Sequence, residues 1–184
     1  IYIDMIPVTD YITSGVWQII LNPTRVVEGQ YDLWLPSENV LNRGTGFLYP
    51  DEEVTLTIPS TADKVISVGA YDALTFSYAS FSGRGYTWQD ERTKPDLVAP
   101  GVNVRTTAVG GGVTVVSGTS FATPFVTGAS ALLMEWGIVR GNDPFLYGEK
   151  VKAYLRRGAR ELPGFGKYPN REVGYGRLCL ERSL

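Results

Sequence analysis

Ser120 is the residue whose setting most invites chemistry. It lies in the run Val115-Val116-Ser117-Gly118-Thr119-Ser120-Phe121-Ala122-Thr123-Pro124, where a short β-type stretch gives way to a helical pattern. A serine hydroxyl is a poor nucleophile near neutral pH and needs a neighbouring base, usually an imidazole, to take its proton. The 184-residue chain has no histidine. Acyl transfer at Ser120 therefore needs a base from another stretch of polypeptide. The chain's own amines are poor substitutes. Lys64, Lys94 and Lys150 could form a Ser–Lys pair only if desolvation lowered their pKa from about 10.4, and they are expected as solvated surface lysines.

Other reactive side chains have plainer readings. Asp96, in Lys94-Pro95-Asp96-Leu97-Val98-Ala99-Pro100-Gly101, is expected as a structural aspartate at a proline-bounded strand start. Arg156, Arg157 and Arg160 read as a solvated helix face. Glu52-Glu53 precedes a strand pattern and carries no metal signature. The single cysteine, Cys179, excludes an internal disulfide and a cysteine-rich zinc site and reads as a small buried apolar residue.

The elements that must hold Ser120 fall into two regions, 1–60 and 61–184. In the first, Val16–Leu21, Arg25–Val27, Tyr31–Leu35 and Glu53–Ile58 are strand candidates stopped by Asn22-Pro23, Pro36 and Pro59, the pattern of an antiparallel sandwich or jelly roll. In the second, Lys64–Ala70 is an almost unbroken apolar run, as a strand covered on both faces requires. Thr75–Gly85 is expected as loop and Val113–Val116 as a short strand. A helix is expected from Ser120 to Trp136, with Phe121, Phe125, Ala129, Leu132 and Trp136 on one stripe, apolar nearly all round and hence buried. Pro124 lies in its first turns. A second helix is expected to start with Asp143 as cap and Pro144 as first residue, and to stop at Gly158. Strands and helices together make the second region an α/β layer.

With 43% hydrophobic residues the chain can build a core, and a net charge of −2 gives no basic footprint for nucleic acid. No apolar run reaches the length of a membrane span. The start Ile1-Tyr2-Ile3-Asp4, with no initiator methionine or leader, reads as cut from a longer polypeptide.

Gly118-Thr119-Ser120-Phe121-Ala122-Thr123-Pro124 resembles the nucleophile signature of subtilisin-like serine peptidases. Lys94–Gly101 resembles the approach to that serine, Val65–Ala70 the strand before it, and Tyr175-Gly176-Arg177-Leu178 the closing segment. The four segments stand in the family's order and cover about 61–184. Phe125 stands where the family usually has a structural histidine. The β-rich stretch before them resembles the tail of a jelly-roll insertion in clostridial spore-germination subtilases, which implies an extracellular or spore-associated setting.

The resemblance implies the C-terminal part of an α/β parallel-sheet catalytic domain, with Ser120 as nucleophile and with Ser120, Thr119 and Gly118 forming or bracing an oxyanion hole. It places the catalytic Asp and His upstream, since the triad order in subtilisin is Asp, His, Ser. The oxyanion asparagine belongs there too, so Asn22, Asn39 and Asn42 are not assigned to it. The implied partners are a protein or peptide substrate and the upstream half of the same domain, and this piece alone is expected to be inactive. Subtilases often bind calcium, but no segment here matches a calcium loop. Two other readings stay open: a pseudoprotease scaffold, and a β-sandwich binding module without catalytic activity.

Overall fold

The computed structural model describes residues 2–29, 31–36, 40–86 and 92–184. The chain divides into two compact units, Ile1–Phe47 and Leu48–Leu184. The second therefore begins before the boundary at 60/61 that composition indicates. Residues 48–60 join it through bonds such as Thr55 N–H to Arg84 C=O at 2.9 Å.

In the first unit none of the described residues is in a strand, and nearly all are exposed. The strands expected over Val16–Leu21, Arg25–Val27 and Tyr31–Leu35 are not formed, and neither is the one over Glu53–Ile58 in the second unit. A strand exists only as one side of a hydrogen-bonded ladder, and none of these segments finds a ladder partner among the described residues. The jelly roll is thus not confirmed by the described residues. Trp17, Ile20 and Trp34 stand in solvent.

The second unit is built on a three-stranded mixed sheet in the order β2-β1-β5. Strand β1 (Val68–Asp72) pairs in parallel with β5 (Leu97–Pro100), with Val68 opposite Leu97 and Tyr71 opposite Pro100. Strand β2 (Ser77–Tyr78) runs antiparallel to the end of β1, inside the stretch expected to be loop. Two further pairs are antiparallel ribbons: β3 (Gly85–Tyr86) with β4 (Thr93–Lys94), and β6 (Val104–Thr107) with β7 (Val113–Val116). On the far side of β5, Val98 N–H donates to Gly176 C=O at 3.0 Å and Leu178 N–H to Val98 C=O at 2.8 Å, so the closing segment lines that edge.

Strand alternation sorts the core. Ala70, Leu97 and Ala99 face one way and join Ala122, Val126, Ala129 and Leu133 of α1 (Thr119–Met134). Tyr71 and Val98 face the other way and meet Leu162 and Val173. Both faces of the sheet are covered, as the apolar run before β1 requires. Helix α2 (Gly148–Gly158) buries Val151, Leu155 and Gly158, one stripe at helical spacing. Helix α3 (Leu180–Ser183) ends the chain against it.

Three expectations about the helices change. Helix α1 is buried on one face only: Phe125 and Leu132, assigned to the core from their spacing, are exposed. Spacing identifies an apolar face but not whether anything covers it. The helix continues as π-helical Glu135–Val139. The continuous Thr119–Val139 stretch of 21 residues is long and apolar enough to cross a membrane by length and composition, contrary to the expectation that no run reaches that length. Its Ala122-Val126-Ala129-Leu133 face is packed against the sheet, the position of a core helix. Helix α2 begins at Gly148, five residues after Asp143. The Asp143 carboxylate does not cap a helix; it accepts from Lys150 Nζ at 2.6 Å and Tyr154 Oη at 3.1 Å. The Lys150 hydrogen bond, the largest cause, holds the Asp143 pKa below the usual carboxylate range.

Gly101, just after β5, fixes how closely α1 approaches the sheet. A Cβ there would sit 2.6 Å from Ala70 Cβ and 3.1 Å from Gly118 C=O. Overpacking of this kind costs about 1–3 kcal/mol. Urea unfolding of Gly101→Ala should show a loss of that size, and an unchanged midpoint would contradict the close packing.

Candidate functional site

Ser120 is the second residue of α1, exposed, with Thr119 and Gly118 half-buried beside it. The elements behind it explain its position. Gly101 N–H donates to Tyr71 C=O of β1 at 3.0 Å, and Gly118 N–H donates to Gly101 C=O at 2.8 Å. Asn103 N–H donates to Ser117 Oγ at 2.9 Å. A short chain of hydrogen bonds thus runs from the sheet to the residue before the helix. Gly118 has φ 150, a backbone conformation that glycine adopts without strain. It lets the chain leave β7 and enter α1 within two residues.

The first turn of a helix has N–H groups with no intrahelical acceptor. Here Phe121 and Ala122 N–H donate to Gly118 C=O at 3.1 and 3.3 Å. The N–H groups of Thr119 and Ser120 have no acceptor among the described residues, and neither do the hydroxyls of the same two residues. Pro124 is the sixth residue of α1, beyond the positions where a missing N–H is free of cost. It deprives the Ser120 C=O of its i+4 partner. The result is an exposed hydroxyl at the positive end of a 16-residue helix, with two unused donors beside it. Such an arrangement can stabilise an anion that forms near the hydroxyl. The chain has no histidine to act as a proton acceptor there.

Asp96 proves structural, and its surroundings overturn two expectations. Its side chain is fully buried and accepts from Ser67 N–H at 2.7 Å. Lys94 Nζ lies 3.1 Å from Oδ2 and Lys152 Nζ 3.3 Å from Oδ1. The Arg156 guanidinium makes two bonds to Oδ1, through Nε at 3.0 Å and through a shorter contact. Lys94 is 1% exposed rather than solvated, because a buried carboxylate compensates its desolvation. Arg156 is half-buried for the same reason, and its guanidinium stacks 4.9 Å from the Tyr175 ring centre. Arg157 is exposed as expected, and Arg160 pairs with Glu181 at 3.3 Å.

Lys152 went unrecognised in the sequence. It also donates to Asp63 C=O at 2.7 Å and Val65 C=O at 2.9 Å. Burial, the largest cause, pushes its pKa down to about 8; Asp96 opposes this, while Lys94 and Arg156 reinforce it. A signal was present: Lys152 and Arg156 are four apart on α2 and share a face, and Lys94 and Asp96 are two apart in extended backbone.

The remaining candidates lie elsewhere. Lys64 is exposed and 3.7 Å from Glu149. Cys179 is free and half-buried, not fully buried. Glu52 and Glu53 form ion pairs with Arg84, and Glu53 also with Arg171 at 2.9 Å. Asn39 lies outside the described residues. Among the described residues no three His, Cys, Asp or Glu side chains gather as a metal ligand set.

This chain is similar to several known proteins. The family model described as the subtilase family, Peptidase_S8, matches residues 48–176. The solved structure of the Clostridium perfringens CspB protease superposes with a TM-score of 0.74 and 50% identity, covering 78% of this chain and 30% of that one. The membrane-bound transcription factor site-1 protease of Mus musculus is 39% identical over 134 residues, 70% of this chain and 12% of its own length. Serine protease AprX of Bacillus subtilis is 34% identical over 129 residues, 59% of this chain and 27% of its own length. The chain spans well under half of each of these proteins.

Two outcomes test the Asp96 cluster. Breaking a buried ion pair by removing one partner costs about 3–5 kcal/mol, so Asp96→Asn should lower unfolding free energy by about that much. A loss under about 1 kcal/mol would show the carboxylate to be dispensable. For Lys152, the folded value of about 8 lies below the ordinary 10.5. Between those values the unfolded chain holds a proton that the folded chain has shed, so this group's contribution to stability rises with pH. Denaturation between pH 8 and 10.5 should show that rise in the parent and a flatter profile in Lys152→Met.

Proposed function

Since the chain belongs to the subtilase family of serine peptidases, we propose that Ser120 is the nucleophile of an endopeptidase whose acid and base are carried by polypeptide outside these 184 residues. The observation that carries this reading is the exposed Ser120 hydroxyl at the start of α1, next to the unpaired N–H groups of Thr119 and Ser120.

In this mechanism an imidazole from the upstream part accepts the Ser120 proton as Oγ attacks the peptide carbonyl. The carbonyl oxygen becomes an oxyanion. The Ser120 N–H donates to it, the helix dipole favours its charge, and the Thr119 hydroxyl braces the same pocket. The imidazolium then gives its proton to the leaving amine, which frees an acyl-enzyme on Ser120. Water, deprotonated by the same imidazole, attacks the ester and releases the acid and the free hydroxyl.

The exposed Phe125 and Leu132 support a second element of this proposal: the upstream half of the domain covers that face of α1. An apolar helix face left in water is a surface awaiting a partner. The exposed apolar side chains of the first unit support a similar reading, with its alternating segments pairing to strands of a β-rich insertion.

A fluorophosphonate probe should label Ser120 in the full-length polypeptide. Ser120→Ala should abolish labelling and lower peptide hydrolysis on the order of 10⁶-fold, the loss found when the nucleophile of subtilisin is removed. The 184-residue chain alone should label negligibly. Label mapping to another residue of the full-length protein would overturn the assignment. Absence of any label there, with the fold intact, would favour a pseudoprotease.

A further inference from the structure

Beside the Asp96 cluster, at α2, lies a cleft of about 280 Å³ whose lining includes Asp63, Lys64, Arg92, Glu149, Lys152 and Arg156. None of its lining residues belongs to the loop that carries Ser120, so a ligand site in this cleft is independent of the peptidase reading. The volume is near the lower end of the range for small-molecule sites.

Among the described residues, the charges around this cleft do not balance. Lys64 faces Glu149, and Arg92 faces Asp63. Those pairs cancel. Lys152 and Arg156 both lean on Asp96 Oδ1, while Lys94 occupies Oδ2 behind them. One buried carboxylate therefore serves three cations, and two positive charges remain. Like charges held together out of water repel strongly, because little solvent screens them. The depressed Lys152 pKa is a consequence of the same crowding.

The donors are placed to use that excess. Lys152 spends its three hydrogens on Asp63 C=O, Val65 C=O and Asp96, so it contributes charge rather than a free donor. Arg156 uses Nε and one terminal nitrogen on Asp96. Its other terminal nitrogen makes no hydrogen bond among the described residues. Lys64 Nζ is largely exposed, and its contact with Glu149 at 3.7 Å is longer than a hydrogen bond.

We propose that this cleft binds a small oxyanion, a phosphate or a free carboxylate, held by the Lys64 ammonium and the spare Arg156 nitrogen against the field of Lys152. Charge-assisted bonds of this kind are among the stronger ones available to a protein. The anion neutralises part of the surplus and braces the contact between α2 and the start of β5. Through β5 and Gly101 the same brace extends toward Gly118.

The test is thermal unfolding of the full-length polypeptide at fixed pH and ionic strength, with chloride replaced stepwise by inorganic phosphate or by acetate. Binding to the native state predicts a midpoint that climbs steeply at low concentration and thereafter with the logarithm of concentration. Salting-out effects, by contrast, grow in proportion to concentration and do not depend on one side chain. Lys64→Glu changes an exposed residue outside the Asp96 cluster, so it leaves the fold intact and should weaken apparent affinity about tenfold, the factor equivalent to 1.4 kcal/mol. A logarithmic rise with both anions identifies the carboxylate as sufficient; such a rise with phosphate alone identifies phosphate. No logarithmic rise with either anion, or the same rise in Lys64→Glu, overturns the proposal.

Discussion

Asp96 is the point on which the second unit depends. Its carboxylate gathers Lys94 from the end of β4, Lys152 and Arg156 from α2, and the backbone N–H of Ser67 before β1. Its backbone adds two more ties: Asp96 N–H donates to Ser67 C=O at 2.8 Å, and Tyr175 N–H donates to Asp96 C=O at 2.9 Å. One residue thus links the entries to both central strands, the second long helix and the closing segment. A charge so deeply buried is tolerable only when paired and hydrogen-bonded, and here both oxygens are engaged. The ion cluster does not add much net stability over an apolar core of equal shape. Any shift of α2 along the sheet would strand a charge.

The position of Ser120 follows from that register. With β1 and β5 aligned residue by residue, Gly101 emerges from β5 where its N–H meets Tyr71 C=O and its C=O meets Gly118 N–H. Those two bonds deliver the chain to the start of α1. Glycine is required on both sides of the second bond, at Gly101 for space and at Gly118 for conformation. The helix then buries Ala122, Val126, Ala129 and Leu133 on the sheet, which orients its first turn and leaves the Ser120 hydroxyl in the open. Core packing and site geometry are therefore the same set of contacts viewed from opposite ends of α1.

Parts of this were legible in the residues because they depend on local pattern. The continuous apolar run before Ala70 announced a strand buried on both faces. Gly118 followed by an apolar helical period announced a sharp strand-to-helix turn with Ser120 at its start. The helical pattern that stops at Gly158 announced where α2 ends. Other parts failed for identifiable reasons. Asp143-Pro144 has the composition of a helix start, but the carboxylate is drawn to Lys150 and Tyr154 instead. Lys94 and Arg156 look like surface residues because a lone cation belongs in water; only the presence of Asp96 between them reverses that rule. Phe125 and Leu132 look like core because spacing reports a face and not its cover. The alternating segments of the first unit look like strands, yet alternation supplies no hydrogen-bond partner, and the described residues form none there.

The order of residues along the chain determined the place of Ser120 at a strand-to-helix turn, the absence of any histidine, and the family to which the chain belongs. Those are matters of residue type and of spacing over a few positions. Three things were settled only by folding: the meeting of Asp96 with three cations, the unpaired donors beside Ser120, and the uncovered face of α1. Lys152 and Asp96 lie far apart in the chain, and no local rule relates residues at that separation. Their proximity comes from the parallel alignment of β1 with β5 and from the seat of α2 against them. Whether a charge is buried or solvated, and whether a donor is used or free, depends on what tertiary packing places around it.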